Sequence, residues 1–380
     1  MGMLAFFPWI TLETQLNHGE FRLLPFERGR SPAGPDTPLQ RTIDEVLLSY
    51  CSRPDHPVRA AVILTHEGRP DFTADLTAED IASYFVFGDS FAFSALAART
   101  FFDTGYANTD CYRLVIQAFR AESRSVAVES RRRDGSTVSL HPAGSFTESR
   151  PHHVSITATK VDQHLLLGLL NARARGDWDR YYEAIANFNL ANTDSQQIPI
   201  HTEAVLLIGA LQRALNCRSS DVNELCERLH DLFKPSAPKS PTTCRATSPD
   251  PGVMAKFQRG PSVTDGWIRD FCALRGNLAH GRLTPVYPSI WNVHEHLLLG
   301  AFLFPLVVKL VLAREGLYSL TETDRVDIDL FEELACVRHF DRDYTPGATA
   351  PWREIRNPLR MAIRTLRLDL DRRTGPGDTG

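Results

Sequence analysis

The stretch Ser262–His280, SVTDGWIRDFCALRGNLAH, predicts the architecture of the second half of this chain. Its large apolar residues recur at intervals of three and four, the spacing at which side chains share one face of an α-helix. These residues are Trp267, Phe271, Leu274 and Leu278. We therefore predict a helix with one buried face, packed among other helices, that carries Arg275, Asn277 and His280 near its end.

Helical periodicity continues on both sides of this stretch, from about residue 161 onward. The segments that show it are Leu165–Leu170, Trp178–Phe188, Thr202–Asn216, Val222–Phe233 and Ser289–Arg314. Asp221, followed by Glu224, has the form of a capping box that opens the fourth segment. We expect a helical domain over residues 161–336.

Two segments of this half have a different composition. Residues 234–252 contain five prolines among serines and threonines, which predicts a mobile loop within the helical domain. Residues 337–380 form a C-terminal segment, in which Trp352–Leu370 is predicted to be a basic amphipathic helix followed by a flexible tail.

The first 160 residues contain short runs of β-branched and aromatic residues separated by turn residues, a pattern typical of strands. We expect strands within Met1–Glu13, Phe21–Phe26, Val58–Thr65, Tyr112–Phe119 and His153–Thr159. Ser125–Arg132 and Ser136–His141 predict a hairpin with a type I′ turn at Asp134 and Gly135. Thr77–Ala98 has helical spacing instead. The predicted fold is an α+β N-terminal domain, residues 1–160, followed by an all-α bundle.

Composition limits the class of protein. The chain has 380 residues, 43% of them hydrophobic and 23% charged, which is typical of globular domains. A net charge of −4 argues against binding of nucleic acid through bulk positive charge. Seven cysteines without a disulfide spacing predict reduced thiols and a cytoplasmic location. Leu297–Ala313 is apolar but short for a membrane span, so we expect a buried helix and no membrane partner.

The segment Arg275–Gly281, RGNLAHG, has the residue types for RNA cleavage without a metal or other cofactor. RNA can be cleaved by its own 2′-hydroxyl, so the protein needs to supply only a charge stabiliser and a proton carrier. Arg275 can donate to two phosphoryl oxygens, and His280 can act as general acid or base near neutral pH. Asn277 is a candidate to orient the phosphate or ribose.

The spacing of Arg275 and His280 constrains such a site. Five residues along a straight helix turn the side chains to about 140° apart, with a rise of about 7.5 Å. Either the helix distorts at Gly276, or His280 lies in a frayed last turn capped by Gly281, or two copies of the motif meet across a two-fold axis.

FCALRGNLAHG, Phe271–Gly281, resembles the HEPN superfamily of ribonucleases, and its form is most similar to the Apea-like branch. Phe188–Asn216 and the long apolar segment after the motif are similar to that superfamily too, so that the resemblance covers roughly Val161–Cys336. It implies a HEPN-type helical domain that acts as an endoribonuclease. It also implies a homodimer with a composite active site of Arg275, Asn277 and His280 from both subunits.

The resemblance further implies a bacterial antiviral defence, abortive infection or toxin effector with an RNA substrate. A phage-derived or protein trigger would act through the N-terminal domain, for which we expect a sensing or regulatory role. HEPN nucleases often carry a polar residue directly after the arginine, where this chain has Gly276. The alternative is therefore a catalytically silent HEPN domain that serves as an RNA-binding or partner-binding scaffold.

Other polar groups are weaker candidates. Arg131, Arg132 and Arg133 at the hairpin tip, together with Arg282 after the motif, are candidates to contact RNA phosphates. The alternative for the tip is an ordinary solvated hairpin end. Cys336 and His339 have the spacing of a zinc half-site but lack a second pair of ligands, so we predict no metal. His294 and His296 are expected to be ordinary polar helix residues.

Overall fold

The computed structural model describes residues 1–29, 37–67, 74–101, 106–154, 157–175, 178–244, 248, 250–279 and 289–336. His280, Arg282 and His339 lie outside these residues, as does the predicted C-terminal helix Trp352–Leu370. The chain divides into two compact units, the second of which begins at Asn171 and also includes a short piece at Thr100. The first unit is rich in β-structure and the second is helical, which confirms the fold class expected from the sequence.

The first unit is built on a seven-stranded sheet. Its elements are β1 Gly2–Phe7, β2 Ile10–Thr11, β3 Leu16–His18, β4 Phe21–Glu27, α1 Pro38–Leu47, β5 Tyr50–Arg53, β6 His56–Pro57, β7 Ala60–His66, α2 Ala78–Ala97, β8 Val115–Arg120, β9 Ser125–Arg132, β10 Gly135–Pro142, β11 Glu148–Ser149 and β12 Thr157–Ala158, and α3 Gln163–Ala172 crosses the division. The sheet has the order β10-β9-β8-β1-β7-β4-β3, and its neighbouring strands pair antiparallel.

Helix α2 packs on this sheet through aromatic side chains. Phe91 lies 5.2 Å from Phe7 of β1, and Phe87 lies 4.5 Å from Phe21 of β4, measured between ring centroids. Thr77 begins the helix, since its hydroxyl accepts from Asp80 N at 3.1 Å and the Asp80 carboxylate accepts from Thr77 N at 2.8 Å. The predicted helix at Thr77–Ala98 is thus confirmed, with a reciprocal cap and an apolar face that hold it in place.

Three local predictions in this unit need correction. The hairpin is present, but its two-residue loop is Arg133 and Asp134, and the positive φ occurs at Gly135, so the turn is not type I′. The predicted strand at Tyr112–Phe119 begins only at Val115, because a 3₁₀ helix spans Thr109–Tyr112. Of the strand predicted at His153–Thr159, the described residues contain only β12.

The second unit is a bundle of helices around a buried central one. Its helices are α4 Trp178–Leu190, α5 Ile200–Ala214, α6 Val222–Leu232, α7 Pro251–Gln258, α8 Val263–Ala279, α9 Val293–Arg314 and α10 Glu322–Ala335. Within the described residues, α9 alone is long and apolar enough to cross a membrane by length and composition, and most of it is buried. Phe304 of α9 stacks on Phe188 of α4 at 4.6 Å, so this helix forms the centre of the core.

The start of α6 differs from the sequence pattern. Asp221 does cap α6, but Glu224 accepts from the backbone N–H groups of Arg218 and Ser219 and so does not complete a capping box. The pKa of Glu224 is lowered to about 2, mainly because its carboxylate accepts a hydrogen bond from Arg218 N.

The segment predicted to be a mobile loop, 234–252, contains ordered elements. A 3₁₀ helix spans Pro241–Thr243, and α7 begins inside the segment at Pro251. Ser236 donates from its N–H and its hydroxyl to Asp329 of α10, and Lys239 N donates to Glu332 of the same helix. The first part of the segment is therefore attached to α10 by hydrogen bonds.

Candidate functional site

The candidate site lies on the last turns of α8, the helix that the opening stretch predicts. Trp267 and Phe271 are fully buried and Leu274 is nearly so, which confirms the predicted apolar face up to Leu278, which is only partly buried. Ser262 begins the helix by accepting from Asp265 N at 3.1 Å. This packing fixes the side of α8 on which Arg275 and Asn277 lie.

Arg275 is the arginine of α8 that the described fold does not use. Its side chain is half-buried, its Nε is inaccessible to solvent, and it has no hydrogen-bond or ion-pair partner among the described residues. Arg269, six residues earlier on the helix, bonds to Asp265 at 2.9 Å and to Asn223 at 2.9 Å. The terminal nitrogens of Arg275, unlike its Nε, are not buried, so the guanidinium can bind an acceptor from outside through them.

The residues beside Arg275 define the space around it. Helix α8 is continuous through Gly276 to Ala279, so the described helix is not interrupted at the glycine. A Cβ added at Gly276 would meet no atom of the described residues within 4 Å, so none of them fills the space next to the arginine. Asn277 donates from Nδ2 to Ala273 O at 3.0 Å, and this bond fixes its amide while Oδ1 remains an acceptor.

The thiol of Cys272, one turn before Arg275, is held in its protonated form by its surroundings. Burial is the main cause that raises the pKa of Cys272 to about 12, and the charge of Arg275 opposes the shift only in part. A thiol with so high a pKa stays protonated near neutral pH and is unreactive. The chemistry available on this part of α8 is therefore that of Arg275 and Asn277.

A buried acid and histidine lie at the junction of α8 and α9, where sequence reasoning did not place a site. His296 is fully buried, and its Nε2 lies 3.2 Å from Asp270 Oδ2. The ring stacks on Phe271 with centroids 4.6 Å apart, and Trp267 and Trp291 flank it. His296 is therefore not the ordinary polar helix residue that its sequence context predicts.

Asp270 also accepts hydrogen bonds from the backbone of the segment just before α9. The same Oδ2 accepts from Ile290 N at 3.0 Å and from Trp291 N at 3.1 Å. It therefore ties the segment before α9 to α8 at a point five residues before Arg275. No local signal in the sequence indicates this pair, since the two partners are 26 residues apart and neither belongs to a recognisable motif.

The remaining candidates are distributed over the chain. Arg131, Arg132 and Arg133 are exposed at the β9–β10 tip in the first unit, where Arg132 pairs with Asp134 at 2.6 Å. His280 and Arg282 are outside the described residues, so Arg275 and Asn277 are the motif residues whose geometry is known. Among the described residues, no group of three or more His, Cys, Asp or Glu side chains is arranged to hold a metal ion.

Comparisons of the chain with protein-family models, with curated proteins and with solved structures found no match. The grounds for a function are thus the residues of α8 and their surroundings.

Proposed function

We propose that this protein is a metal-independent endoribonuclease of the HEPN type, in which Arg275 and His280 act on the scissile phosphate. The observation that supports it most is the guanidinium of Arg275, which lies at the end of a well-packed helix and has no partner among the described residues. Phosphate oxygens are acceptors that match a guanidinium in geometry and charge.

The reaction follows from the groups on the motif. The 2′-hydroxyl of the RNA attacks the neighbouring phosphorus, the bond from phosphorus to the 5′-oxygen breaks, and a 2′,3′-cyclic phosphate and a 5′-hydroxyl result. Arg275 stabilises the charge that grows on the phosphoryl oxygens. His280 carries the proton that leaves the 2′-hydroxyl or the one that the 5′-oxygen receives. Asn277 orients the phosphate or the ribose, and its Oδ1 can accept from a ribose hydroxyl.

The proposal includes a homodimer with a composite site, because residues with the spacing of Arg275 and His280 would point about 140° apart if both lay on one straight helix. The setting would be a cytoplasmic antiviral or toxin effector, controlled through the β-rich N-terminal unit. The homodimer and this biological setting are both implied by the resemblance of FCALRGNLAHG to HEPN ribonucleases. The hairpin arginines, Arg131–Arg133, and Arg282 are candidate contacts to RNA phosphates.

The direct test is incubation of purified protein with total RNA in excess chelator. We expect cleavage by the wild type and a loss of at least about 100-fold in Arg275→Ala and His280→Ala. Arg325→Ala is the matched control, since this exposed arginine of α10 makes only a 3.5 Å surface pair with Glu322. Cleavage that needs a metal, or that persists in Arg275→Ala, would rule out the proposed chemistry.

A mixing experiment tests the composite site. Arg275→Ala and His280→Ala are each expected to be inactive alone, but a heterodimer of the two holds one site with an intact arginine from one subunit and an intact histidine from the other. Mixed and re-equilibrated subunits should therefore recover part of the wild-type activity. No recovery, with heterodimers demonstrated by mass, would place both residues of each site in one subunit.

The second candidate function is a silent scaffold that binds RNA or a partner. Two observations favour it: Gly276 provides no polar side chain, and the Asn277 amide donates to its own helix. In that case the wild type would retain RNA but leave it intact in every arm of the cleavage test.

A further inference from the structure

The first unit contains a basic cavity far in sequence from α8. It has a volume of about 760 Å³ and lies beside β2, the β5–β6 hairpin and the start of β7. This volume falls within the range of roughly 300 to 1,000 Å³ that is typical of small-molecule sites. Its walls combine apolar residues, such as Pro8, Trp9 and Pro57, with charged ones.

Three arginines line this cavity. Arg28, Arg53 and Arg59 are exposed, and no hydrogen bond or ion pair of their side chains is present among the described residues. Asp55 is the carboxylate in the lining, so the cavity has an excess of positive charge in a chain whose net charge is −4. Like charges placed together without partners cost free energy unless an anion offsets them.

The backbone holds these arginines in fixed positions. Arg28 N donates to Arg59 O at 2.7 Å, which extends the β4–β7 ladder by one pair and brings the two residues side by side. Arg53 ends β5 opposite His56 in β6, and Ser52 Oγ bonds to His56 O at 3.2 Å. His56 Nδ1 bonds to Pro54 O at 2.8 Å, so its Nε2 is the ring nitrogen left for a ligand.

Trp9 contributes to the apolar wall of the cavity. Trp9 is 1% exposed, and its Nε1 is a buried donor with no partner among the described residues. A ligand suited to this cavity thus combines negative charge with a flat or apolar part.

We propose that this cavity binds a nucleoside polyphosphate, with its phosphates on Arg28, Arg53 and Arg59 and its base against the wall formed by Pro8, Trp9 and Pro57. Arginine is the side chain best suited to phosphate, because its planar fork donates to two oxygens at once. The cavity belongs wholly to the first unit, so the proposal does not depend on ribonuclease activity in the second.

The test is equilibrium binding of ATP, GTP, CTP and UTP to the full-length protein, measured by titration calorimetry. The parent protein carries His280→Ala, so that the short RNA used as a probe below is not cleaved. We expect at least one nucleotide to bind, and Arg28→Ala with Arg59→Ala to weaken it by at least about tenfold. The matched control is Arg113→Ala with Arg120→Ala, which removes two exposed arginines from the same unit but outside the cavity. This control should bind within about twofold of the parent.

Three further probes decide the chemistry. Tripolyphosphate that binds as tightly as the nucleotide would show that the base is not recognised, and adenosine that binds as tightly would show that the phosphates are not. A short RNA that binds where no mononucleotide does would also overturn the assignment, as would equal losses in the cavity and control variants. Thermal unfolding of every variant, expected within a few degrees of the parent, excludes misfolding as the cause.

Discussion

Asp270 offers the sharpest test of how α8 is positioned. Its carboxylate is 8% exposed, and one oxygen, Oδ2, accepts from Ile290 N, Trp291 N and His296 Nε2 at 3.0, 3.1 and 3.2 Å. Asp270→Ala deprives all three donors of their acceptor. Hydrogen bonds to a charged group contribute about 1.5–3 kcal/mol each, but the variant also removes the cost of burying the carboxylate. We expect a net loss of about 3–4 kcal/mol in the free energy of unfolding.

Two companion variants separate the hydrogen bonds from packing. Asp270→Asn keeps one acceptor oxygen at nearly the same size and should lose about 1–2 kcal/mol. His296→Phe keeps a ring stacked on Phe271 and removes a single donor, so it should lose about 1 kcal/mol or less.

The assay is urea unfolding followed by tryptophan fluorescence, since Trp267 and Trp291 flank the histidine. The expected order of destabilisation is Asp270→Ala, then Asp270→Asn, then His296→Phe. If Asp270→Ala were within about 1 kcal/mol of the wild type, the carboxylate would not be what ties the entry of α9 to α8.

Three further changes test other parts of the second unit. Burial, with a smaller effect of the Asp194 charge, raises the pKa of Glu203 to about 7. Between about pH 4.5 and 7 the folded state therefore holds a proton that the unfolded state has lost. The free energy of unfolding should fall as the pH rises through this range. Glu203→Gln should abolish that dependence and stabilise the protein by about 1–2 kcal/mol at about pH 8, measured by urea unfolding at two pH values. Gly276→Ala should stabilise α8 by about 0.5–1 kcal/mol, because a Cβ there meets no atom within 4 Å; a lower thermal midpoint would contradict this. Lys309→Met should destabilise the unit by about 3–5 kcal/mol in urea unfolding. Lys309 Nζ lies 2.6 Å from Asp324, and the substitution leaves this carboxylate buried without its cation. An unchanged unfolding midpoint would refute that role.

Local patterns in the sequence predict much of this fold. The face of α8 through Trp267 and Phe271 and the helix begun by Thr77 depend on residues close together in the chain, and the structure confirms both. The β9–β10 hairpin is also local, and only its turn type is wrong, because the loop falls one residue earlier than the Asp-Gly pair indicates. Periodicity and capping act over a few residues, which is the range that a single sequence reveals.

Features that depend on distant partners escape such reasoning. Glu224 has the position of a capping-box acid. The chain before α6 folds back, however, and the carboxylate accepts hydrogen bonds from Arg218 N and Ser219 N instead. The pairing of Asp270 with His296 depends on how α8 packs against α9. Arg28, Arg53 and Arg59 look like scattered surface charges until the β4–β7 ladder and the β5–β6 hairpin bring them to one cavity. Of the candidate site, the sequence predicts Arg275, Asn277 and His280 as candidates, but not that Arg275 lacks a partner among the described residues.

The most direct measurement for the ribonuclease proposal is single-turnover cleavage of a labelled RNA in excess chelator, by the wild type, Arg275→Ala and Arg275→Lys. The account predicts products with 2′,3′-cyclic phosphate ends and no cleavage where the attacking ribose is replaced by 2′-deoxyribose. It also predicts a rate at least about 100-fold lower for Arg275→Ala, with little rescue by lysine, which lacks the planar fork. Wild-type cleavage rates in Arg275→Ala, or cutting at the deoxy position, would contradict it.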